Sequence, residues 1–307
     1  MHAGPPPGGS LRKLQYLSWR AVIALAGRLP LRVSYALATL AGMAGYYLWP
    51  RGRRAMLNNY RRVLPGATKS ERGAVARRSL VNYCRYLVDF ARFPALSAER
   101  LLAAVGGEES FRALDAALAE GKGAVIVCMH FGNWDLGAGA TAARGYSLAV
   151  VAETFADPRL DELVAGARRR LGMEVIKMER AGPSLVRALK RNGLLALLID
   201  RPTPGEGVKV EFFGEVVEVP AGPARLALLT GAPVVVAAFP RVDAGRPEVV
   251  TLTEFIEPRT GAEGHDVEGL TRTIMAAHER FIRAYPDQWY MFREMWPATG
   301  SRVRSRG

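Results

Sequence analysis

Cysteine is scarce, with two in 307 residues. That count excludes a disulfide scaffold and a multi-cysteine zinc or iron–sulfur module, and it fits a reducing compartment. Histidine is scarce too, with four residues, and no pair of them stands at metal-ligand spacing. No repeat of 20–50 residues is present, which excludes a solenoid or propeller. There is no P-loop, no G-x-G-x-x-G and no G-x-S-x-G elbow, so nucleotide cradles and the usual serine-hydrolase layout lack support. Acidic residues are almost missing from the first hundred positions, which hold Glu71, Asp89 and Glu99 against 17 of the 42 Lys and Arg. The other 207 residues carry 25 basic and 26 acidic groups, so the net charge of +13 resides in the N-terminal third. A third with that balance needs an anionic partner such as lipid or nucleic acid.

What is present in that third favours lipid. Residues 2–10 form a Gly- and Pro-rich leader. Leu11 to Gly27 repeats apolar residues at spacings of three and four among Arg12, Lys13 and Arg20, with Tyr16 and Trp19, which suits a helix at a headgroup interface. Val33 to Trp49 is a 17-residue stretch without a charge. As a helix it reaches about 25 Å, short for a bilayer span, and Arg flanks both ends. No small-residue cleavage site follows it, so it makes a poor signal peptide. It is expected to be a short interfacial helix rather than a span. Ala55 to Phe93 predicts two helices broken at Pro65. The arginines there (Arg61, Arg62, Arg77, Arg78, Arg85, Arg92) are interleaved with Tyr60, Leu80, Tyr83, Tyr86 and Phe90 and are expected to face anionic headgroups. No helix-turn-helix, zinc finger or RNP motif supports nucleic acid instead.

The remaining two thirds alternate strands and helices. Strands are predicted at Gly121–Met129, Leu148–Ala152, Met173–Lys177, Leu194–Ile199, Pro233–Phe239 and Val249–Phe255, with Val208–Phe213 an antiparallel one. Helices are predicted at Asn133–Arg144, Arg159–Leu171, Ser184–Arg191, Ala224–Thr230 and Val267–Tyr285. The fold class is therefore α/β, a central mostly parallel mixed sheet covered by helices. Residues 1–100 are expected to form a basic, helical, membrane-associating region, and residues 101–307 one continuous catalytic unit.

In such a sheet, ligands collect beyond the carboxyl ends of the strands. Of the four histidines, His2 is in the leader, His265 in a polar loop and His278 within a helix; His130 alone ends a strand. Asp135 follows within the first turn or so of the next helix, and helical side chains lean toward the N-terminus, so its carboxylate is expected to orient the imidazole. Backbone N–H groups near Gly132 and Asn133 are candidate oxyanion donors. Asp200 and Glu211 are further acids that could reach His130, with Arg201 an alternative partner for Asp200. Cys128 shares a strand face with His130 and reads as core packing, not as a nucleophile.

Met129-His-Phe-Gly-Asn-Trp-Asp135 resembles the H-x4-D block of the bacterial lysophospholipid-type acyltransferases. More narrowly, the chain resembles the lipid A biosynthesis acyltransferase family, through Asn59-Tyr-Arg-Arg-Val-Leu-Pro65, Arg78-Ser-Leu-Val-Asn-Tyr83, Glu153-Thr-Phe-Ala-Asp-Pro-Arg-Leu160 to Arg168, and Gly207-Val-Lys-Val-Glu-Phe-Phe-Gly214. Pro286-Asp-Gln-Trp289 resembles its closing block. Asp200-Arg201 and Pro220-Ala-Gly-Pro223 look closer to the phosphatidylinositol mannoside branch than to the lipid A branch. The resemblance implies transfer of a fatty acyl group from acyl-CoA or acyl carrier protein to a glycolipid hydroxyl, with no resident cofactor or metal. It implies His130 as general base with Asp135 behind it, and Asn133, Glu153, Arg168 and Arg201 as substrate contacts. The expected partners are anionic membrane lipids, the acyl donor and the glycolipid, for a monomer or weak oligomer at the cytoplasmic face of the cell membrane. A non-catalytic lipid-binding protein on the same fold and a thioesterase-like hydrolase are the competing readings.

Overall fold

The computed structural model describes residues 9–201, 207–258, 264 and 266–296. His2 and His265 lie outside the described residues, as does most of the leader. Four helices open the chain: α1 (Gly9–Arg28), α2 (Leu31–Leu48), α3 (Pro50–Val63) and α4 (Lys69–Arg92). Pro50 sits in the first turn of α3, where its missing N–H costs nothing. A capping box of Thr68 and Glu71 starts α4 after the predicted break at Pro65. Two short helices, α5 (Ala98–Ala103) and α6 (Arg112–Leu118), lead into the α/β part and fall outside every predicted element.

The strands are β1 (Ala124–Cys128), β2 (Leu148–Ala152), β3 (Glu174–Lys177), β4 (Leu194–Leu198), β5 (Gly207–Phe212), β6 (Glu215–Pro220), β7 (Val234–Ala238) and β8 (Leu252–Ile256). Between them run α7 (Trp134–Ala143), α8 (Pro158–Arg170), α9 (Ala181–Lys190), α10 (Gly222–Thr230) and finally α11 (Val267–Ala284). Six strands form one sheet in the order β3-β2-β4-β1-β7-β8, parallel except for β8. This is the α/β class expected from the alternation of apolar strands with helices. β5 and β6 pair as a separate antiparallel ribbon.

The two-residue period of a strand divides β1 between two cores. Val125 and Val127 pack with α9, α10 and α11 through Leu189, Ala227 and Ile274. Ala124, Ile126 and Cys128 pack with α7, α8 and α4 through Leu136, Val164 and Phe90. Both faces are covered, so β1 is buried along its whole length.

The N-terminal third divides in a way the charge pattern did not foretell. Among the described residues, no helix is long and apolar enough to cross a membrane. One face of α2 packs against α4 through Tyr35, Ala38 and Gly42, while Leu37, Leu40, Met43, Tyr47 and Leu48 stay exposed. Several residues expected to meet headgroups are instead internal. Tyr86 and Phe90 are core. Arg85 bonds Thr39 and Arg92 bonds the carbonyls of Ala26 and Leu29, whereas Arg78 stays exposed and pairs with Asp287. Trp19 meets Phe90 edge-on, and Tyr16 lies under Arg159. Their apolar rings bury area that a lone basic helix would leave in water, which is why periodicity alone misassigned that face.

Candidate active site

β1 and β4 are parallel neighbours, with Cys128 opposite Leu198. Two residues beyond that pair stand His130 and Asp200, so the register carries both onto the same rim of the sheet. Asp200 is wholly buried and accepts two bonds from one residue: the His130 backbone N–H at 2.9 Å on Oδ2, and Nδ1 at 2.7 Å on Oδ1. Burial pushes the Asp200 carboxyl upward, but the His130 imidazole and its two hydrogen bonds outweigh it and hold the carboxyl below its ordinary value. An ionised carboxylate only accepts, so Nδ1 carries the proton and Nε2 keeps its lone pair. The imidazole stays partly open to solvent and meets the edge of Trp134 at 5.2 Å between centroids.

The turn that presents His130 is held from all sides. Gly132 has φ of +62°, and a Cβ there would lie 2.1 Å from the Phe239 carbonyl oxygen, so only glycine fits. The His130 carbonyl accepts from Tyr290 N–H. Gly132 N–H donates to Gln288, and Asn133 N–H donates to Phe239. Those two N–H groups are therefore engaged by carbonyls, which corrects their reading as oxyanion donors. Asn133 is buried; its side-chain oxygen caps α7 through Leu136 N–H at 3.3 Å, and its amide donates to Asp89 at 3.0 Å.

Asp135 is engaged by groups other than His130. Both its oxygens bind Arg168, at 2.7 and 3.0 Å, and one also accepts from the Tyr86 hydroxyl at 2.7 Å. The carboxylate is turned across to α8 and α4 because a bidentate guanidinium holds it more strongly than a single imidazole N–H would. Desolvation pulls the Arg168 pKa down, and Asp135 overcomes that and raises it. Tyr86 stacks on Trp134 at 4.1 Å, so this ion pair supports the wall beside His130. The carboxylate hydrogen-bonded to His130 Nδ1 is thus that of Asp200, not that of Asp135.

Of the other expected residues, Glu153 directly follows β2 and pairs with Arg201 at 3.2 Å, both partly exposed. Arg201 is therefore the partner of Glu153 and Asp200 that of His130. Glu211 is exposed on the ribbon and lines a cavity of about 550 Å³ with Arg61, Arg62, Glu279 and Arg283, a cavity that His130 does not line. Burial pushes the Cys128 thiol up to about 12, leaving it uncharged and inert, as core packing requires.

Three residues were missed by reading the sequence. Asp89 of α4, Tyr35 of α2 and Arg241 beyond β7 form a buried cluster beneath the turn. Asp89 accepts from Tyr35 at 2.6 Å, from Asn133 and from Arg241, whose guanidinium also bonds Tyr35 at 2.8 Å. Burial pushes the Asp89 carboxyl up, and Arg241 opposes it. The one signal available was a lone acid in a long basic stretch.

Comparison with known proteins defines the class. Residues 9–297 match the bacterial lipid A biosynthesis acyltransferases, and the chain belongs to that family. It is accordingly an acyltransferase. It is 31% identical over 308 residues to the phosphatidylinositol mannoside acyltransferase of Mycolicibacterium smegmatis, covering 97% of this chain and 96% of that one. It is 30% identical over 271 residues to the phosphatidylinositol mannoside acyltransferases of two Mycobacterium tuberculosis strains, CDC 1551 / Oshkosh and H37Rv, covering 85% of this chain and 82% of each relative.

Proposed function

We propose that the protein transfers a fatty acyl chain from a thioester donor, acyl-CoA or acyl carrier protein, to a hydroxyl of a phosphatidylinositol mannoside-type glycolipid. The observation that carries this reading is the His130–Asp200 pair at the carboxyl rim of the sheet, in a chain whose relatives bear that activity in their names. Nε2 of His130 takes the proton from the acceptor hydroxyl as its oxygen attacks the thioester carbonyl. The C–S bond then breaks, and the imidazolium returns the proton to the leaving thiolate. Asp200 fixes the tautomer and stabilises the imidazolium, for a general-base contribution of about 10²–10⁴-fold. Attack by the acceptor itself needs no covalent nucleophile, in keeping with the inert Cys128. Arg201 and Glu153, beside Asp200 on the same rim, are open to substrate.

The exposed apolar residues of α1 and α2, with the basic charge around them, support peripheral attachment to the membrane. The cytoplasmic face is the one that meets acyl-CoA and acyl carrier protein. The test uses purified wild type and His130→Ala in anionic vesicles, with labelled palmitoyl-CoA and a panel of acceptors that includes a lipid A precursor. Labelled phosphatidylinositol mannoside from wild type alone is the expected result. Labelled lipid A precursor would move the acceptor to the other branch. Thiol release without labelled lipid would replace transfer by hydrolysis, and no turnover by a folded, vesicle-bound protein would leave a lipid-binding protein.

A further inference from the structure

A second cavity, of about 460 Å³, lies between α3 and the start of α4, and His130 does not line it. Arg54, Leu57, Asn58 and Arg61 turn toward it from one face of α3, at the spacing i, i+3, i+4, i+7. Lys69 and Arg72 face it from the first turn of α4, and Arg53 completes its five cations. No acid lines it. None of the five cations forms an ion pair among the described residues. Two acids on neighbouring segments are otherwise engaged: Glu71 accepts from Thr68 N–H while still acting on Arg72, and Glu294 accepts from Asn58 at 3.1 Å. Arg61 also borders the neighbouring cavity, where Glu211, Glu215 and Glu279 stand beside Arg62 and Arg283.

Five cations around one hollow repel one another, and Lys69 and Arg72 stand at the positive end of a helix dipole, where cations are disfavoured. An anion in the hollow relieves both terms. Arg53 is already held over the rings of Tyr46 and Tyr47, at 5.0 and 6.0 Å, and the Tyr47 hydroxyl accepts from Arg77 at 3.3 Å, so this wall is built before any ligand arrives. The surroundings identify the source of the anion. Tyr47 and Pro50 line the cavity, and between them Leu48 is 81% exposed and Trp49 is 44% exposed. They continue the exposed apolar residues Leu37, Leu40 and Met43 of α2. A phosphate in the cavity thus lies at the edge of an apolar surface, with Tyr and Trp at the boundary, as at a membrane's headgroup level.

We propose that this cavity binds the phosphate diester headgroup of an anionic phospholipid and fixes the pose of the protein on the membrane. The proposal rests on the membrane reading given above, and binding is measured apart from turnover so that the two fail separately. The triple variant Arg54→Gln/Arg61→Gln/Lys69→Gln is compared with Arg100→Gln/Lys190→Gln/Arg225→Gln, which removes the same charge from exposed positions elsewhere. Each is titrated with vesicles of phosphatidylcholine containing phosphatidylinositol, and with phosphatidylcholine alone. A Lys or Arg near an anionic surface is worth about fivefold in binding, so the cavity variant should bind the anionic vesicles about 100-fold more weakly than wild type, and the control less than about fivefold. Equal losses in the two variants would overturn the proposal in favour of diffuse charge. Tight binding of inorganic phosphate or coenzyme A that the cavity variant alone loses, with vesicle binding unchanged, would overturn it in favour of a soluble anion. Duplex DNA that displaces the vesicles only from wild type would overturn it in favour of nucleic acid. Lost vesicle binding with unchanged thiol release on a detergent-dispersed acceptor is the full expected result. Vesicle binding that behaves as expected without any turnover would sink the acyltransferase mechanism and leave the headgroup site standing.

Discussion

Replacing Asp200 by Asn tests the pair at the centre of the site with little change of volume. The wild-type carboxylate accepts from two donors of His130, at 2.9 and 2.7 Å. An amide offers one acceptor oxygen and one NH2 donor. With the oxygen left on the backbone N–H, the NH2 faces Nδ1, and the imidazole adopts the other tautomer. Nε2 then carries a proton and cannot take one. Asp200→Asn should therefore lower kcat by about 10²–10⁴-fold, the range of a general base, or roughly 3–5 kcal/mol of barrier. KM for donor and acceptor should change less than about threefold. The assay is steady-state thiol release with acyl-CoA and glycolipid, beside a thermal melt of the same samples. Asp135→Asn is the companion. It weakens the hold on a mostly buried Arg168, at a cost of about 3–5 kcal/mol in stability. Once folded in the cold, it should retain kcat better than Asp200→Asn does. The pH dependence follows from the depressed pKa of Asp200. A carboxyl lowered in the folded state stabilises above its unfolded value, near 4, and loses that contribution as pH falls through the folded value. The stability gap between wild type and Asp200→Asn should shrink as pH falls below about 4. A folded Asp200→Asn within tenfold of wild-type kcat, beside an Asp135→Asn that loses 10²-fold, would refute this assignment and restore Asp135.

Asp89→Asn should lower Tm by about 5–8 °C, because it breaks a buried pair with Arg241 worth about 3–5 kcal/mol once one partner is removed. A melt within 2 °C of wild type would show the cluster to be unimportant for stability. Gly132→Ala should lose about 10²-fold in kcat, since its Cβ must displace the Phe239 backbone and with it His130. Native protein treated with iodoacetamide at pH 7.5 should keep its activity, because burial holds Cys84 up at about 11 and Cys128 up at about 12; rapid inactivation would contradict that.

The fold was legible where the signal was local. The run Ala124 to Cys128 is apolar without a break, as a strand buried on both faces must be, and the Thr68–Glu71 capping box marks the start of α4 after Pro65. The ribbon was half legible. β5 alternates, but β6 (Glu215–Pro220) is joined to it by a tight turn at Phe213 and Gly214 and is followed almost at once by α10, so its pattern merges with a helix entrance. The N-terminal third was harder because charge does not reveal its partner. Arg92 and Arg54 look alike in sequence. The first is held by the carbonyls of Ala26 and Leu29 in a helix–helix contact, and the second faces an open cavity. Only tertiary packing separates an arginine that satisfies the backbone from one left for a ligand.

His130 was legible as the polar group ending an apolar strand, and its hydrogen-bond partner was misjudged, for a reason that lies in sheet register. Asp135 is near in sequence, and a helical side chain leans toward the N-terminus, so proximity along the chain favoured it. Proximity across the sheet favours Asp200, which is 70 residues away. A trace of this was present: Val-Ile-Val-Cys-Met-His130 and Leu-Ala-Leu-Leu-Ile-Asp200 are two apolar strands with one polar group at the same offset from their ends. Two parallel central strands that end alike place those groups side by side only if they are neighbours in register. The sequence does not state that adjacency, because β4 follows β1 in the chain with β2 and β3 between them. Once the order β2-β4-β1 is known, the pairing has little freedom. A shift of β4 by one residue would turn Asp200 to the opposite face and drive its apolar neighbours out of their cores. The same two-residue period that seats the β4 side chains in the two cores therefore also aims the carboxylate, so a register change in β4 should abolish folding before it merely weakens the acid–imidazole contact.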